Sequence, residues 1–379
     1  MEPERLRVLH LMREASGGMV THLAALTGAL MEAGAEVAVA APPEVLARLG
    51  SRLEEGDAGH AWRVPLPLYD GMRPGRDLAA AMALRRTVRR LRPHVVHAHG
   101  HKAAWASALA MTLPLGPARV VTVHNFLPSS GGGIWGVAQR RMVGWSLRRA
   151  DRLIAVSETL GRFAHQLLDG SRPVTVVRNA LDPRWCSRAR QRQDGAARGR
   201  AMVVACVMRL HASKGVEILV DAIARLPASV QVEAWIAGDG PCRAALEARA
   251  RATGAWRRVR FLGWAEPAQV WGEADVAVLP WLREGASYSA LEAMASGLPV
   301  VALECPGSRE VVPEGAGMVV DPSPEGLAAA LERLAGDPGL RRRMGEEARR
   351  RATARTAREM ALETLALYRE VTGAGRTAP

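Results

Sequence analysis

The 379 residues exceed what one hydrophobic core usually serves, so the chain is expected to form two domains. A hydrophobic fraction of 48% with 23% charged residues is that of an ordinary globular protein and excludes a long disordered chain. The formal net charge of +13 is concentrated early: residues 1–185 hold 24 basic and 15 acidic side chains, the remainder 27 and 23. Such a surface attracts anions: phosphorylated substrates, nucleic acid or anionic lipid. No nucleic-acid-binding module accompanies the charge, so no nucleic-acid partner is expected.

No apolar run approaches the ~18–20 residues that span a bilayer. The stretch Met1–Arg5 carries acids and no apolar h-region, so no signal peptide is expected. Cys186, Cys206, Cys242 and Cys305 are far apart, which argues against a disulfide framework or structural zinc and for a cytoplasmic location. Of 51 basic residues, 49 are arginine. The lysines are Lys102 and Lys214, and the asparagines are Asn125 and Asn179. Residue types this rare mark their positions for attention.

In chain order, apolar runs over Leu6–Leu11, Glu36–Ala41, Val95–His99, Val120–Val123 and Leu153–Val156 read as buried strands. A second set covers Met202–Val207, Val232–Ala237, Val259–Leu262, Val276–Leu279 and Pro299–Leu303. Helical periodicity follows many of them, as in Met19–Ala33, Asp77–Leu91, Val216–Arg225 and Ser287–Ala295. Near-continuous apolar strands alternating with helices predict an α/β fold of two Rossmann-like, doubly wound parallel-sheet domains facing across a cleft. The polar, arginine-rich stretch Arg184–Arg200 is the expected seam, giving domains of residues 1–185 and 186–353. Ser323-Pro324 and Asp337-Pro338 place a capping residue before a proline. Residues 354–379 read as a final helix, Ala354–Val371, packing back on the first domain, and a frayed tail.

Ligands of doubly wound sheets bind beyond the carboxyl ends of the strands, and the candidate motifs fall there. Gly17 and Gly18 open the first helix, where a backbone free of side chains can approach a phosphate. Gly131, Gly133 and Gly136 match a dinucleotide fingerprint formally but lie well past their strand, and read as a loop. His97, His99 and His101 alternate at a strand end without a carboxylate or thiol cluster, so a metal site is not expected. His99 is kept as a ligand-contacting residue. His124 ends the next strand beside Asn125, where an imidazole can donate to a sugar hydroxyl or assist proton traffic.

Arg209 and Lys214 lie on a loop entering a helix, and two cations at a helix N-terminus suit a diphosphate. Glu284, Gly285 and Ala286 precede the helix capped by Ser287 and stopped at Gly297, and Glu292 lies just past its first turn. Two carboxylates around a helix start can bind two sets of sugar hydroxyls while free N–H groups hold phosphate. A two-carboxylate hydrolase is the competing reading of that pair. Ile134–Arg149, with Trp135, Trp145, Arg140, Arg141, Arg148 and Arg149, reads either as an ordinary surface helix or as a docking helix for anionic membrane.

These motifs, with Ala150–Ser157, Asn179-Ala180-Leu181-Asp182, Ala237-Gly238-Asp239-Gly240-Pro241 and Gly297–Val301, resemble the retaining, nucleotide-sugar-dependent glycosyltransferases of family 4. The resemblance implies the two-domain GT-B fold, with the acceptor on the first domain and the donor on the second. It implies that Glu284 contacts the transferred sugar, Glu292 the ribose, and Arg209 and Lys214 the diphosphate, approached from the other domain by Gly17 and Gly18. His124 would sit near the sugar, and no metal cofactor is implied. His99, Asn125, Asn179, Gly238 and Trp281 are further candidate cleft residues. The sequence departs from the family pattern at Ala180, Met208 and Trp281, which bears on the shape of the donor pocket. The implied partners are a nucleoside diphosphate sugar and a glycan, lipid-linked or small-molecule acceptor, with peripheral contact at anionic membrane as a further expectation. A sugar-nucleotide epimerase or hydrolase, and a non-catalytic sugar-nucleotide-binding module, stand as alternatives.

Overall fold

The computed structural model describes residues 5–53, 61–71, 73–111, 116–127, 134–182, 185 and 201–373. The chain divides into two units, Met1–Asn179 with Ala357–Pro379, and Ala180–Thr356. The chain thus changes unit at Asn179, ahead of the expected seam, and most of Arg184–Arg200 lies outside the described residues.

The first unit begins β1 (Arg7–Met12), α1 (Gly18–Glu32), β2 (Glu36–Ala41), α2 (Pro43–Leu53), β3 (Trp62–Pro65), α3 (Pro74–Leu91) and β4 (Val95–His99). It continues with α4 (His101–Ala110), β5 (Ala118–Val123), α5 (Ile134–Arg148), β6 (Arg152–Ala155), α6 (Glu158–Leu167) and β7 (Val174–Val176). The strands form one parallel sheet of order β3-β2-β1-β4-β5-β6-β7. The strand order reverses between β1 and β4, and the carboxyl ends of strands at such a reversal are where doubly wound sheets take ligands. Central strands are buried along nearly their whole length, as their apolar runs require; β3 and β7 are short, partly exposed edge strands with no such run to announce them.

The second unit repeats the plan with β8 (Met202–Val207), α7 (Val216–Arg225), β9 (Val232–Ala237), α8 (Arg243–Ala252), β10 (Val259–Gly263), α9 (Pro267–Glu273) and β11 (Val276–Leu279). Then follow α10 (Tyr288–Ala295), β12 (Val300–Leu303), α11 (Ser308–Val311), β13 (Gly317–Val320), α12 (Pro324–Gly336) and α13 (Pro338–Thr353). The sheet order is β10-β9-β8-β11-β12-β13, again parallel, with its reversal between β8 and β11. Ser287, Ser323 and Asp337 cap α10, α12 and α13 with side-chain oxygens that accept from Ala290, Gly326 and Leu340 N–H. Separate apolar clusters, one containing Ile223 and Leu331, the other Trp271 and Met294, make up the core of this unit.

A short break after α13 precedes α14 (Ala357–Thr372), which starts three residues later than expected and belongs to the first unit. It packs on α1 and β5, burying Met360, Leu365 and Tyr368. Among the described residues no helix is long and apolar enough to cross a membrane.

Candidate active site

In the second unit the candidate charges sit where the strand order reverses. β8 and β11 are hydrogen-bonded neighbours, so the loops that follow them emerge side by side. The loop after β8 passes Arg209 and makes a tight 3-10 turn over Ala212–Lys214, capped by the His211 imidazole, whose Nδ1 accepts from Ser213 N–H at 3.3 Å. The neighbouring β9 loop presses backbone against backbone: at Gly238 (φ +135°) a Cβ would meet Met208 O at 1.9 Å. Gly238 is thus a packing residue that shapes this loop, since any side chain would push the loop after β8 away.

Lys214 Nζ lies 3.1 Å from Glu284 Oε2. Glu284 is 8% exposed, and its other oxygen accepts from the N–H groups of Gly285 (2.9 Å) and Ala286 (3.4 Å). This corrects one expectation: those two amides are taken up by the Glu284 carboxylate, which folds back over its own loop, and are not free for phosphate. Arg209 is exposed and makes no ion pair among the described residues. Glu292 is buried one turn along α10 from Tyr288. Burial, and then the Glu292 charge, push the Tyr288 phenol well above its ordinary range, and its hydroxyl donates to Ala180 O. Trp281, expected at the cleft, is 1% exposed and belongs to the core with Trp271 and Met294.

The first unit brings together residues that are far apart in sequence. In register, His10 on β1 faces His97 on β4, and Met12 faces His99. Alternate residues share a sheet face, so His10, His97, His99 and Thr122 project to the side where α1 carries His22 and α14 carries Tyr368. His124, just past β5, completes the group. His97 Nδ1 lies 2.5 Å from Tyr368 Oη and its Nε2 2.6 Å from Thr122 Oγ1. His10 Nδ1 meets His99 Nε2 at 2.9 Å, and His99 Nδ1 meets His124 Nε2 at 3.1 Å. His22 Nδ1 donates to Asn179 Oδ1 at 3.0 Å, which gives one of the two asparagines its place. Burial drives His10 down to about 3 and His22 down to about 4, and holds His97, His99 and His124 well below the ordinary imidazole range. All five are therefore neutral at physiological pH.

His10, His97 and His99, and likewise His22, His99 and His124, each offer a ring nitrogen within 4.8 Å of the others. Neutral imidazole is a metal-ligand type. Here, however, both nitrogens of His97 and of His99 already have hydrogen-bond partners. The sequence reading missed His10 and His22, which sit mid-strand and mid-helix and carry no local signature. Gly17 (φ +66°) caps α1 and its carbonyl accepts from Val20 and Thr21 N–H; Gly18 is the first residue of α1. Asn125 is exposed: its carbonyl accepts from His101 Nε2, and its amide reaches Met19 Sδ at 3.7 Å. Gly131 and Gly133 lie outside the described residues.

Comparison with known proteins settles the family. The pattern described as Glycosyltransferase Family 4 matches residues 16–185, and that described as Glycosyl transferases group 1 matches residues 201–337, one in each unit. A lipopolysaccharide core biosynthesis mannosyltransferase, LpcC of Rhizobium leguminosarum, is 31% identical over 257 residues, covering 63% of this chain and 71% of that protein. The chain belongs to glycosyltransferase family 4. A glycogen synthase of Mycobacterium tuberculosis is 33% identical to this family 4 chain over 282 residues, 70% of the chain and 66% of that protein. Among solved structures, the Anabaena protein HepE in complex with UDP-glucose superposes with a TM-score of 0.76 at 22% identity, over 96% of this chain and all of that one. That likeness is one of fold: the two Rossmann-like units of this family 4 chain are those of GT-B proteins.

Proposed function

We propose that this chain transfers a sugar from a nucleoside diphosphate sugar to a glycan or lipid-linked acceptor, with retention at the anomeric carbon. This reading is carried by the Lys214–Glu284 pair at the strand-order reversal of the second sheet, with Arg209 exposed on the same loop as Lys214 and without an ion pair among the described residues. The Lys214 ammonium has three donors; one serves Glu284, and the others can take phosphate oxygens with Arg209. Breaking the bond from the anomeric carbon to phosphate leaves negative charge on the diphosphate, which these cations offset. The acceptor oxygen then bonds to that carbon from the same face, and its proton passes to the departing phosphate. Glu284 is assigned to hydroxyls of the transferred sugar, Glu292 to the ribose, and His124 to a sugar hydroxyl. The second unit is the donor side and the first the acceptor side.

A screen of UDP-, GDP- and ADP-sugars by thermal shift tests the donor assignment, because the true donor raises Tm increasingly with concentration above its Kd. Donor incubated without acceptor forms the second arm. Release of an epimer or free sugar as main product would make the chain an epimerase or hydrolase.

We also propose that the exposed cations of α5 meet an anionic membrane surface. Arg140 and Arg141 on α5 and Arg149 just past its end are exposed, while Arg148 pairs with Asp169. Trp145 packs on Trp105 at 5.2 Å under the Arg149 guanidinium, so it acts as support for this face and not as an inserted anchor. Co-sedimentation with anionic vesicles that vanishes at high salt is the expected result; no binding at low salt would end the idea.

A further inference from the structure

We infer that His10 and His99 are positioning residues that form, with His124, a one-way chain of imidazole hydrogen bonds fixing His124 as the Nδ1–H tautomer. The role assigned to that N–H rests on the reading of His124 as a sugar-contacting residue; the chain itself does not.

The direction of the chain follows from where three protons can sit. Two ring-to-ring contacts, His10 Nδ1 to His99 Nε2 at 2.9 Å and His99 Nδ1 to His124 Nε2 at 3.1 Å, each need one hydrogen. Each neutral imidazole carries one N–H and one bare nitrogen. The three rings can therefore satisfy both contacts in only two ways, with all N–H bonds running toward His124 or all running toward His10. The far nitrogen of His10 decides between them. His10 Nε2 is buried and has no hydrogen-bond partner among the described residues. If the chain ran toward His10, this nitrogen would carry a buried N–H with nothing to receive it, the rarest and most costly kind of orphan. With the chain running toward His124, the orphan is a bare lone pair. His10 Nδ1–H then donates to His99 Nε2, and His99 Nδ1–H donates to His124 Nε2. That leaves the proton of His124 on Nδ1.

The far end of the chain is the accessible one. His10 and His99 are 0% exposed, whereas His124 keeps 6% and its Nδ1 has no partner among the described residues. The aligned N–H dipoles reinforce one another in the buried surroundings. They present a directed donor at the carboxyl end of β5, the edge at which parallel sheets take ligands. His97 stands outside the chain, its two nitrogens occupied by Tyr368 and Thr122.

Tautomers are read directly from histidine side-chain nitrogen shifts in the full chain labelled with 15N-histidine, without donor or acceptor, at about pH 7.5, where the rings are neutral. The expected result is Nδ1–H for His10, His99 and His124 alike; Nε2–H at His124 would overturn the inference. A second measurement uses His10→Phe, which leaves His99 Nε2 as the partnerless end of the chain. By the same rule that nitrogen should stay a bare lone pair, so His99 and His124 should both keep Nδ1–H; a shift of His124 to Nε2–H in the folded variant would also overturn the inference. Should that variant not fold, the wild-type shifts alone decide. Because no substrate is present, a failed transfer assay counts against the proposed function and leaves the tautomer result standing.

Discussion

Lys214 and Glu284, seventy residues apart in sequence, meet at 3.1 Å because β8 and β11 are neighbours where the second sheet reverses its order. The pair places a cation, a carboxylate and two adjacent loops at the end of the sheet that takes ligands. The lysine is nearly a third exposed and the glutamate about a tenth, so the bridge is poised between structure and ligand binding.

Replacing Lys214 with methionine should lower turnover by about 10²–10³-fold, the usual loss when one preorganised charge is removed from a departing leaving group. It also leaves Glu284 short of its cation, for a stability loss of about 1–3 kcal/mol. Steady-state kinetics and urea unfolding of the same preparation check both figures. Lys214→Arg should recover little, because a planar guanidinium does not occupy the place of a compact ammonium.

Glu284→Gln keeps a side-chain oxygen for the Gly285 and Ala286 amides while removing the charge that holds Lys214. Its fold should stay within about 1 kcal/mol of wild type while turnover drops. Combined with Lys214→Met, the stability losses should be less than additive, as for residues in direct contact.

The other lysine offers a contrast. Lys102 and Asp77 are paired at 2.6 Å with each side chain only 9% exposed, and Lys102 also donates to Gly71 O. Lys102→Met strands the carboxylate and should cost about 3–5 kcal/mol, whereas replacing both partners with apolar residues should recover much of it. Denaturant midpoints of the single and double variants test this.

The buried histidines make the fold acid-sensitive. Their folded-state affinities for protons lie below the unfolded value near 6.5, so the unfolded chain binds more protons below that pH. Stability is fully present above about pH 6.5 and should fall as pH drops from there toward about 4, by up to about 1.4 kcal/mol per pH unit for each histidine. Carboxylates titrate mostly below this window, so a falling Tm between about pH 6.5 and 5 reports the imidazoles. A flat profile there would contradict the neutral cluster.

Much of this was legible in the chain. Glu36–Ala41, Val95–His99, Met202–Val207 and Val232–Ala237 were readable residue for residue because buried central strands are mostly apolar, with few polar interruptions. The Ser287, Ser323 and Asp337 caps were readable from local chemistry. The rare residues Lys214, Lys102 and Asn179 were visible, though their partners were not. The histidine chain was hidden because it depends on β4 lying beside β1, and sheet order leaves no mark in a single sequence. Trp281 was misplaced for a related reason: a tryptophan after a strand-end proline looks the same whether it lines a crevice or fills the core behind it.

The most direct test is calorimetric titration of wild type and Lys214→Met with the nucleoside diphosphate sugar that most raises Tm. Wild type should bind saturably and the variant at least about tenfold more weakly, a loss of about 1.4 kcal/mol. Equal affinity in the two proteins would contradict it.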